Sequence, residues 1–340
     1  SFVASRKLSN KTKKAKTNAM WSEHSGFEYE IASIRVELGI ATAEDHAVVN
    51  RGNPPKSTGR AFNTSLALPH NLGEAINHPN WHAEQGYRYA TIRELKSWVK
   101  HKVLEDRGDP PSDATLLNLS LLYSFKTGKK GEFDRAKLRI IVVGHKWAAK
   151  KGEHYFHNFS HTVAWPNLRG TLAQACNEKF TIAKQWDSHA AFLYADPEPG
   201  AMAYARVPPE LMSILSLPSA AFVAKAAYGL PSAPAGWGKF SKRVLTHNCN
   251  LTVCKHDESV FVRRRGKEFI FVCTWVDDYC VLSNSEALYN ETRDKYFSVV
   301  DGDEGPLEYL LGVNVDVNYE AHSIKLYSEK AIKAMLQKYG

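Results

Sequence analysis

Asp277 and Asp278 are the residues in this sequence best suited to chemistry. They follow the apolar run Phe269-Ile270-Phe271-Val272-Cys273-Thr274-Trp275-Val276 and precede a second one, Tyr279-Cys280-Val281-Leu282. Phe, Ile, Val, Trp and Tyr suit a pleated strand, whereas Asp is a poor strand residue and a good turn residue. The pattern over Glu268 to Asn284 therefore predicts a hairpin with both acids at its tip. Adjacent carboxylates repel one another. Solvent relieves that repulsion in an ordinary surface turn, and a hard cation such as Mg2+ relieves it in a metal site. On these two residues alone, both readings stand.

A second group of candidates is basic. Leu116 to Phe125 and Leu138 to Val143 are apolar runs joined through Thr127-Gly128-Lys129-Lys130-Gly131. They predict another hairpin, with Lys126, Lys129, Lys130, Arg135, Lys137 and Arg139 at its tip and flanks. Such a surface can grip phosphate, Lys as a point charge and Arg as a two-pronged donor, or it can be a solvated charged face. Two further sets look superficially like metal sites. His247, Cys249, Cys254 and His256 fall in a segment that alternates like a strand, while His154, His157 and His161 fall on an expected loop without the paired spacing of zinc ligands.

The 340 residues, 44% hydrophobic and 11% aromatic, can bury a substantial core divided between two or three lobes. A net charge of +8 permits a polyanionic partner without requiring one. Five cysteines, at 176, 249, 254, 273 and 280, form no CxxC pair, which fits a reducing compartment. No apolar run approaches the ~18 residues of a membrane span. The absence of an initiator Met and of a signal-like segment suggests an internal piece of a longer polyprotein.

These candidates need elements to position them. Residues 1–68 carry a basic cluster (Lys7, Lys11, Lys13, Lys14, Lys16) and a Gly- and Pro-rich stretch from Arg51 to Arg60. They suggest a basic, poorly structured linker or tail with a short helix around Glu28 to Leu38. Trp81, Tyr89, Ile92, Leu95, Val99 and Val103 recur at helical spacing, and Gly108-Asp109-Pro110-Pro111 stops the pattern. Leu168 to Phe180 predicts a helix. Ser283 with Glu286 predicts a capping box for a helix through Val300, carrying Leu288, Thr292, Tyr296 and Val299 on one face. Tyr309 to Asp316 and Ser323 to Tyr327 predict a hairpin, and Ser328 the cap of a last helix with Ile332, Met335, Leu336 and Tyr339.

Several stretches, in order, resemble the reverse transcriptases of Ty1/copia-type retrotransposons, well over residues 115–340 and faintly over 69–114. Trp275-Val276-Asp277-Asp278 resembles the YVDD box, with Trp in place of Tyr. Lys137-Leu138-Arg139 followed by Gly144 resembles the KAR…G motif, with Val143 where an Arg usually stands. Tyr155, Phe159 and Ser160 match a DYxxTFSPV stretch, and Val207-Pro208-Pro209 a QPP-like one. Gln185-Trp186-Asp187-Ser188-His189-Ala190-Ala191-Phe192-Leu193 resembles LDVKTAFL, which puts a third carboxylate, Asp187, 90 residues before Asp277. Tyr228-Gly229-Leu230-Pro231-Ser232-Ala233-Pro234-Ala235-Gly236-Trp237 resembles LYGLKQAPRAW, with Pro231, Ser232 and Ala235 replacing Lys, Gln and Arg.

The resemblance implies an α+β right-hand polymerase fold over residues 69–340, with fingers, an antiparallel palm sheet backed by helices and the start of a thumb. It implies RNA-directed DNA polymerase activity. Asp187, Asp277 and Asp278 would be both catalytic residues and ligands of two Mg2+ ions, and Lys137, Arg139, Phe192 and Ser232 would bind the nucleotide, Phe192 beneath the incoming sugar. Partners would be an RNA or DNA template-primer, deoxynucleoside triphosphates and neighbouring polyprotein domains such as integrase and RNase H. No membrane would be involved, and the location would be intracellular, cytoplasmic in virus-like particles or nuclear. Two rivals use the same residues: a degenerate, non-catalytic remnant that only binds nucleic acid, motivated by Val143, Pro231, Ser232 and Ala235, and a metal nuclease, which lacks a His or Glu base at comparable spacing.

Overall fold

A computed structural model describes residues 27–51, 61–112, 114, 116–128, 131–144, 149, 151–152, 155–200 and 202–339. The basic cluster at Lys7 to Lys16, residues 52–60, Lys129, Lys130 and His154 lie outside them. Numbered along the chain, the path opens with α1 (27–38), α2 (Ala43–Arg51), α3 (Leu72–Ile76), α4 (Tyr87–Lys100) and β1 (Leu104–Glu105). The hairpin β2 (Leu116–Thr127) and β3 (Phe133–Val142) follows. The chain continues through α5 (Trp165–Asn177), β4 (Ile182–Ser188) and a short 3-10 turn at Ala191–Tyr194, then β5 (Tyr204–Arg206), α6 (Pro209–Leu215) and β6 (Ala220–Val223). It ends with α7 (Ala233–Arg243), β7 (Thr252–Cys254), β8 (Asp257–Arg265), β9 (Glu268–Trp275), β10 (Asp278–Ser283) and α8 (Glu286–Phe297). After these come β11 (Gly302–Pro306), β12 (Tyr309–Leu310), β13 (Val313–Asn318), β14 (Ser323–Tyr327) and α9 (Glu329–Tyr339).

The chain divides into two compact units, one of residues 1–150 and 202–230, the other of 151–201 and 231–340. In the first, five strands form a sheet in the order β1-β6-β5-β2-β3. β2 and β5 are parallel, and the other pairs are antiparallel. Alternation along β3 buries Ala136, Leu138, Ile140 and Val142 and turns Lys137 and Arg139 to the opposite face. The edge of β3 is closed by bonds to Gln85 O (from Ala136 N, 2.8 Å) and Tyr228 O (from Val142 N, 2.7 Å), and by the Glu94 carboxylate, which accepts from Ile140 N at 3.1 Å. These satisfy donors that an edge strand otherwise leaves open. The helix expected from Trp81 onward starts only at Tyr87. Gly86 precedes it, and a Cβ there would lie 2.3 Å from Asn80 O, so the backbone closes tightly and Trp81 sits in the preceding turn. The short helix expected near Glu28 is present as α1, whose Glu30 and Glu37 pair with Arg88 of α4.

In the second unit, six antiparallel strands form a sheet in the order β11-β4-β10-β9-β8-β7, with a separate three-stranded sheet, β12-β13-β14. Phe269 to Thr274 of β9 are buried without alternation, as in a strand covered on both faces. Ile270, Val272, Tyr279, Val281 and Trp186 face a cluster with Trp237, Leu288 and Tyr296, while Phe269, Phe271, Cys273, Cys280 and Leu282 face one with Leu168, Leu172 and Val315. So α7 and α8 cover one face, and α5 and the small sheet cover the other. α8 buries Leu288, Tyr289, Thr292 and Tyr296. Its cap is Ser285, whose side chain accepts from Leu288 N at 3.3 Å, and not Ser283. Ser283 is the last residue of β10 and donates its hydroxyl to Phe269 O at 2.6 Å, so strand pairing takes it out of the capping position.

Candidate active site

The expected acidic hairpin forms. Trp275 and Asp278 are the last cross-strand pair of β9 and β10, leaving Val276 and Asp277 as a two-residue turn. Val276 has φ of +56° while Asp277 is not in the left-handed region, the sign pattern of a type II′ turn. That position normally takes Gly, and a β-branched residue there carries strain of about 1–3 kcal/mol that its surroundings must offset. The offset comes in part from α7: the indole of the fully buried Trp237 donates to Val276 O at 2.6 Å.

β4 brings the third acid. Asp187 is the direct antiparallel partner of Asp278, so the two carboxylates share a face of the sheet, and Ser188 N donates to Asp277 O at 2.9 Å across the same junction. Asp187 and Asp277 are exposed and Asp278 is half-buried. The amide of Gln185 donates to one Asp278 oxygen at 3.3 Å. On its other side Asp187 faces Asp303 of β11, making a row of three cross-strand acids, with His189 Nε2 2.8 Å from Asp303 Oδ2. Carboxylates directly opposite one another destabilise a sheet unless something compensates them.

Beneath the acids the buried face is held by hydroxyls. Ser188 Oγ and the Tyr296 hydroxyl are 2.7 Å apart, as are Ser241 Oγ and the Tyr279 hydroxyl. Burial pushes Tyr279 up to about 12, so it remains a neutral hydrogen-bonding group.

The donor types suit a hard cation. Among the described residues no three His, Cys, Asp or Glu side chains converge as a closed metal cluster. Magnesium does not demand one, since it keeps waters and substrate phosphates in its shell and takes one or two carboxylates. Asp187 and Asp278, side by side, with Asp277 in the adjoining turn, are compatible with that mode. Three of the histidines and cysteines in the two other sets have partners elsewhere: His157 contacts Glu198 at 2.7 Å, His161 lies 3.7 Å from Glu258, and Cys249 donates to Thr292 O inside the core.

Phe192 lies in the 3-10 turn after β4, reached through Ala190 at φ +51°. It is half-buried and packs on the cluster containing Trp186 and Trp237. Ser232 caps α7 without a side-chain cap bond and is 4% exposed. In the other unit Lys137 is opposite Ser124 and Arg139 opposite Leu122, all on one face, with Lys137 half-buried and Arg139 exposed. Burial raises the pKa of Glu94, the carboxyl that braces this strand. Gly229 has φ of +90°, and a Cβ would lie 2.3 Å from Val142 O, so the retained Gly of the Tyr228-Gly229-Leu230 box is needed for contact with the end of β3. The residues that sequence reasoning missed are Gln185, Ser188 and Asp303, which only strand register exposes, and the polar use of Trp237, whose box signalled the residue but not its bond.

Fold and site together define a mixed α+β domain whose central antiparallel sheet presents an acidic two-residue turn beside a third acid. The chain belongs to the reverse transcriptase (RNA-dependent DNA polymerase) family, whose model matches residues 107–340. It is similar to the retrovirus-related Pol polyproteins from transposons RE1 and RE2 of Arabidopsis thaliana. The identities are 27% over 237 residues (68% of this chain) and 25% over 259 (74%). A third relative is the retrovirus-related Pol polyprotein from transposon TNT 1-94 of Nicotiana tabacum, 24% identical over 306 residues, or 87% of this chain. The matches span 15%, 17% and 22% of those relatives. The resemblance to Ty1/copia-type elements is thus met. No helix among the described residues is long and apolar enough to cross a membrane.

Proposed function

We propose that this chain is the polymerase part of a copia-type Pol protein and extends a primer with deoxynucleotides on an RNA or DNA template. The observation that carries the reading is the cross-strand pairing of Asp187 with Asp278 next to the Val276-Asp277 turn. In this reading the β2-β3 hairpin belongs to the fingers, the six-stranded sheet is the palm, and the last hairpin and α9 begin a thumb. The polymerase spans 69–340, and residues 1–68 are a linker or tail. Asp187, Asp277 and Asp278 hold two Mg2+ ions, which when bound activate the primer 3′-hydroxyl and stabilise the leaving pyrophosphate. Lys137 and Arg139 neutralise the triphosphate, Arg139 with two parallel donors and Lys137 as a point charge. Ser232, at the start of α7, offers a small hydroxyl where the family has an amide, and Phe192 lies under the sugar.

Primer extension with Mg2+ tests the proposal. Asp277→Asn keeps the size of the side chain and removes a charge the metal needs, so extension should fall by at least about a hundredfold while the melting temperature holds. Near-normal extension by the folded variant would overturn the assignment. Binding of template-primer without extension by the native protein would favour the non-catalytic remnant motivated by Val143, Pro231, Ser232 and Ala235, and cleavage would favour the nuclease.

A further inference from the structure

Among the polar groups the mechanism above leaves unused is a side-chain donor that reaches the backbone of the acidic turn. The carbonyl of Val276 belongs to the central peptide of that turn, and the indole of Trp237 donates to it. Type I′ and type II′ hairpin turns differ mainly by a flip of this peptide. The first needs positive φ at both central residues, the second only at the first. Type II′ puts the first central residue at the mirror image of about φ −60°, ψ +120°, a region that residues other than Gly avoid, whereas type I′ puts it in the left-handed helical region, so a Val at this position leans away from the turn observed. A donor fixed on one side of the peptide selects its orientation.

Trp237 is well placed for that role because packing surrounds it. It is fully buried, stacks on Phe240 (ring centroids 5.7 Å apart, 24° between planes) and contacts Tyr194. The next residue, Gly238, packs so closely that a Cβ would stand 2.8 Å from Ser160 Oγ, which fixes this part of α7 against a neighbouring segment. On the opposite side of the turn, Ser188 N holds Asp277 O. The turn is therefore gripped at two successive carbonyls, one from a helix and one from a strand.

We propose that Trp237 is a positioning residue that selects the type II′ form of the Val276-Asp277 turn and thereby fixes how Asp277 and Asp278 stand beside Asp187. The consequence for catalysis rests on the polymerase reading above; the effect on the turn does not. Trp237→Phe keeps an aromatic ring in the core and deletes the donor. In a folded variant the amides of the turn should exchange hydrogen at least about tenfold faster than in the native protein. Extension should fall by up to about a hundredfold, as expected for a small misplacement of reacting groups, with template-primer affinity unchanged. Val276→Gly supplies the residue that a type II′ turn prefers. The double variant Trp237→Phe/Val276→Gly should therefore regain at least about tenfold of the lost extension and slow the exchange again, a coupling that mere loss of packing would not give.

Unchanged exchange in Trp237→Phe, or a double variant no better than the single one by either measure, would overturn the proposal. If the native protein fails to extend any primer, the polymerase reading falls. Hydrogen exchange at the turn, with and without Val276→Gly, still decides the role of Trp237.

Discussion

The basic pair Lys137 and Arg139 and the aromatic Phe192 can be assigned separately, because each reading makes a different ligand suffer. Lys137 and Arg139 share one face of β3 with spacing of two, opposite Ser124 and Leu122 of β2. If they grip the triphosphate, Lys137→Ala and Arg139→Ala raise the KM for nucleotide and leave template-primer binding near its native value. Equal losses in both would make the face a general nucleic-acid surface, and the salt dependence of duplex binding would then drop by about one phosphate contact per residue. Phe192 requires a ratio and not a rate. Its half-buried ring packs on the cluster around Trp186, so a purely core role predicts lower stability and equal losses for both sugars in Phe192→Val. A role as sugar gate predicts that the efficiency ratio of deoxy- to ribonucleotide falls by about tenfold, equal to about 1.4 kcal/mol of discrimination. A stable, active variant with an unchanged ratio would remove it from the site.

The hairpin and α8 illustrate what an element adds to its residues. Glu291 of α8 takes hydrogen bonds from Lys295 on its own helix and from Arg265 and Arg263 on β8, and these three hold its carboxyl down to about 2. The folded value lies below the ordinary one of 4.5, so the contribution to stability is full above about pH 4.5 and is lost as the pH falls toward 2. Melting temperature followed over that window should decline, and Glu291→Gln should flatten the part of the decline that this cluster causes. A slope identical in both proteins would mean that the cluster is screened by solvent and salt. The hairpin over Glu268 to Asn284, the basic hairpin and α8 were legible because their apolar periods are strong and their turn residues distinctive. The start of α4 and the cap of α8 were not. Trp81 has the right spacing but a tight turn excludes it, and Ser283 has the right chemistry but sheet pairing consumes it. Asp187 was legible through its motif, whereas Asp303 carries no local signal and joins the row of acids only because β11 pairs with β4.

At the scale of the whole chain, sequence order conceals an interleaving. Both units are built from two separated segments, so the chain leaves the first after residue 150 and returns for 202–230 before completing the second. Composition and charge could bound such an arrangement but could not reveal it, since register between distant strands is written in no local pattern. Within the second unit, the covering of β9 and β10 on both faces has a further effect. Cys273 and Cys280 are direct cross-strand partners there, both buried, and burial pushes the Cys273 thiol up to about 12 and Cys280 well above its ordinary value. Neither can form an appreciable thiolate at neutral pH while the sheet is closed, whereas Cys176 and Cys254 are part-exposed. A thiol-alkylating reagent therefore meets two populations. The slow one holds Cys249, buried between α7 and β7, with Cys273 and Cys280, and modification of the last two, told apart by mass spectrometry, is a built-in clock for the opening of the strands that flank the acidic turn, with no substrate bound.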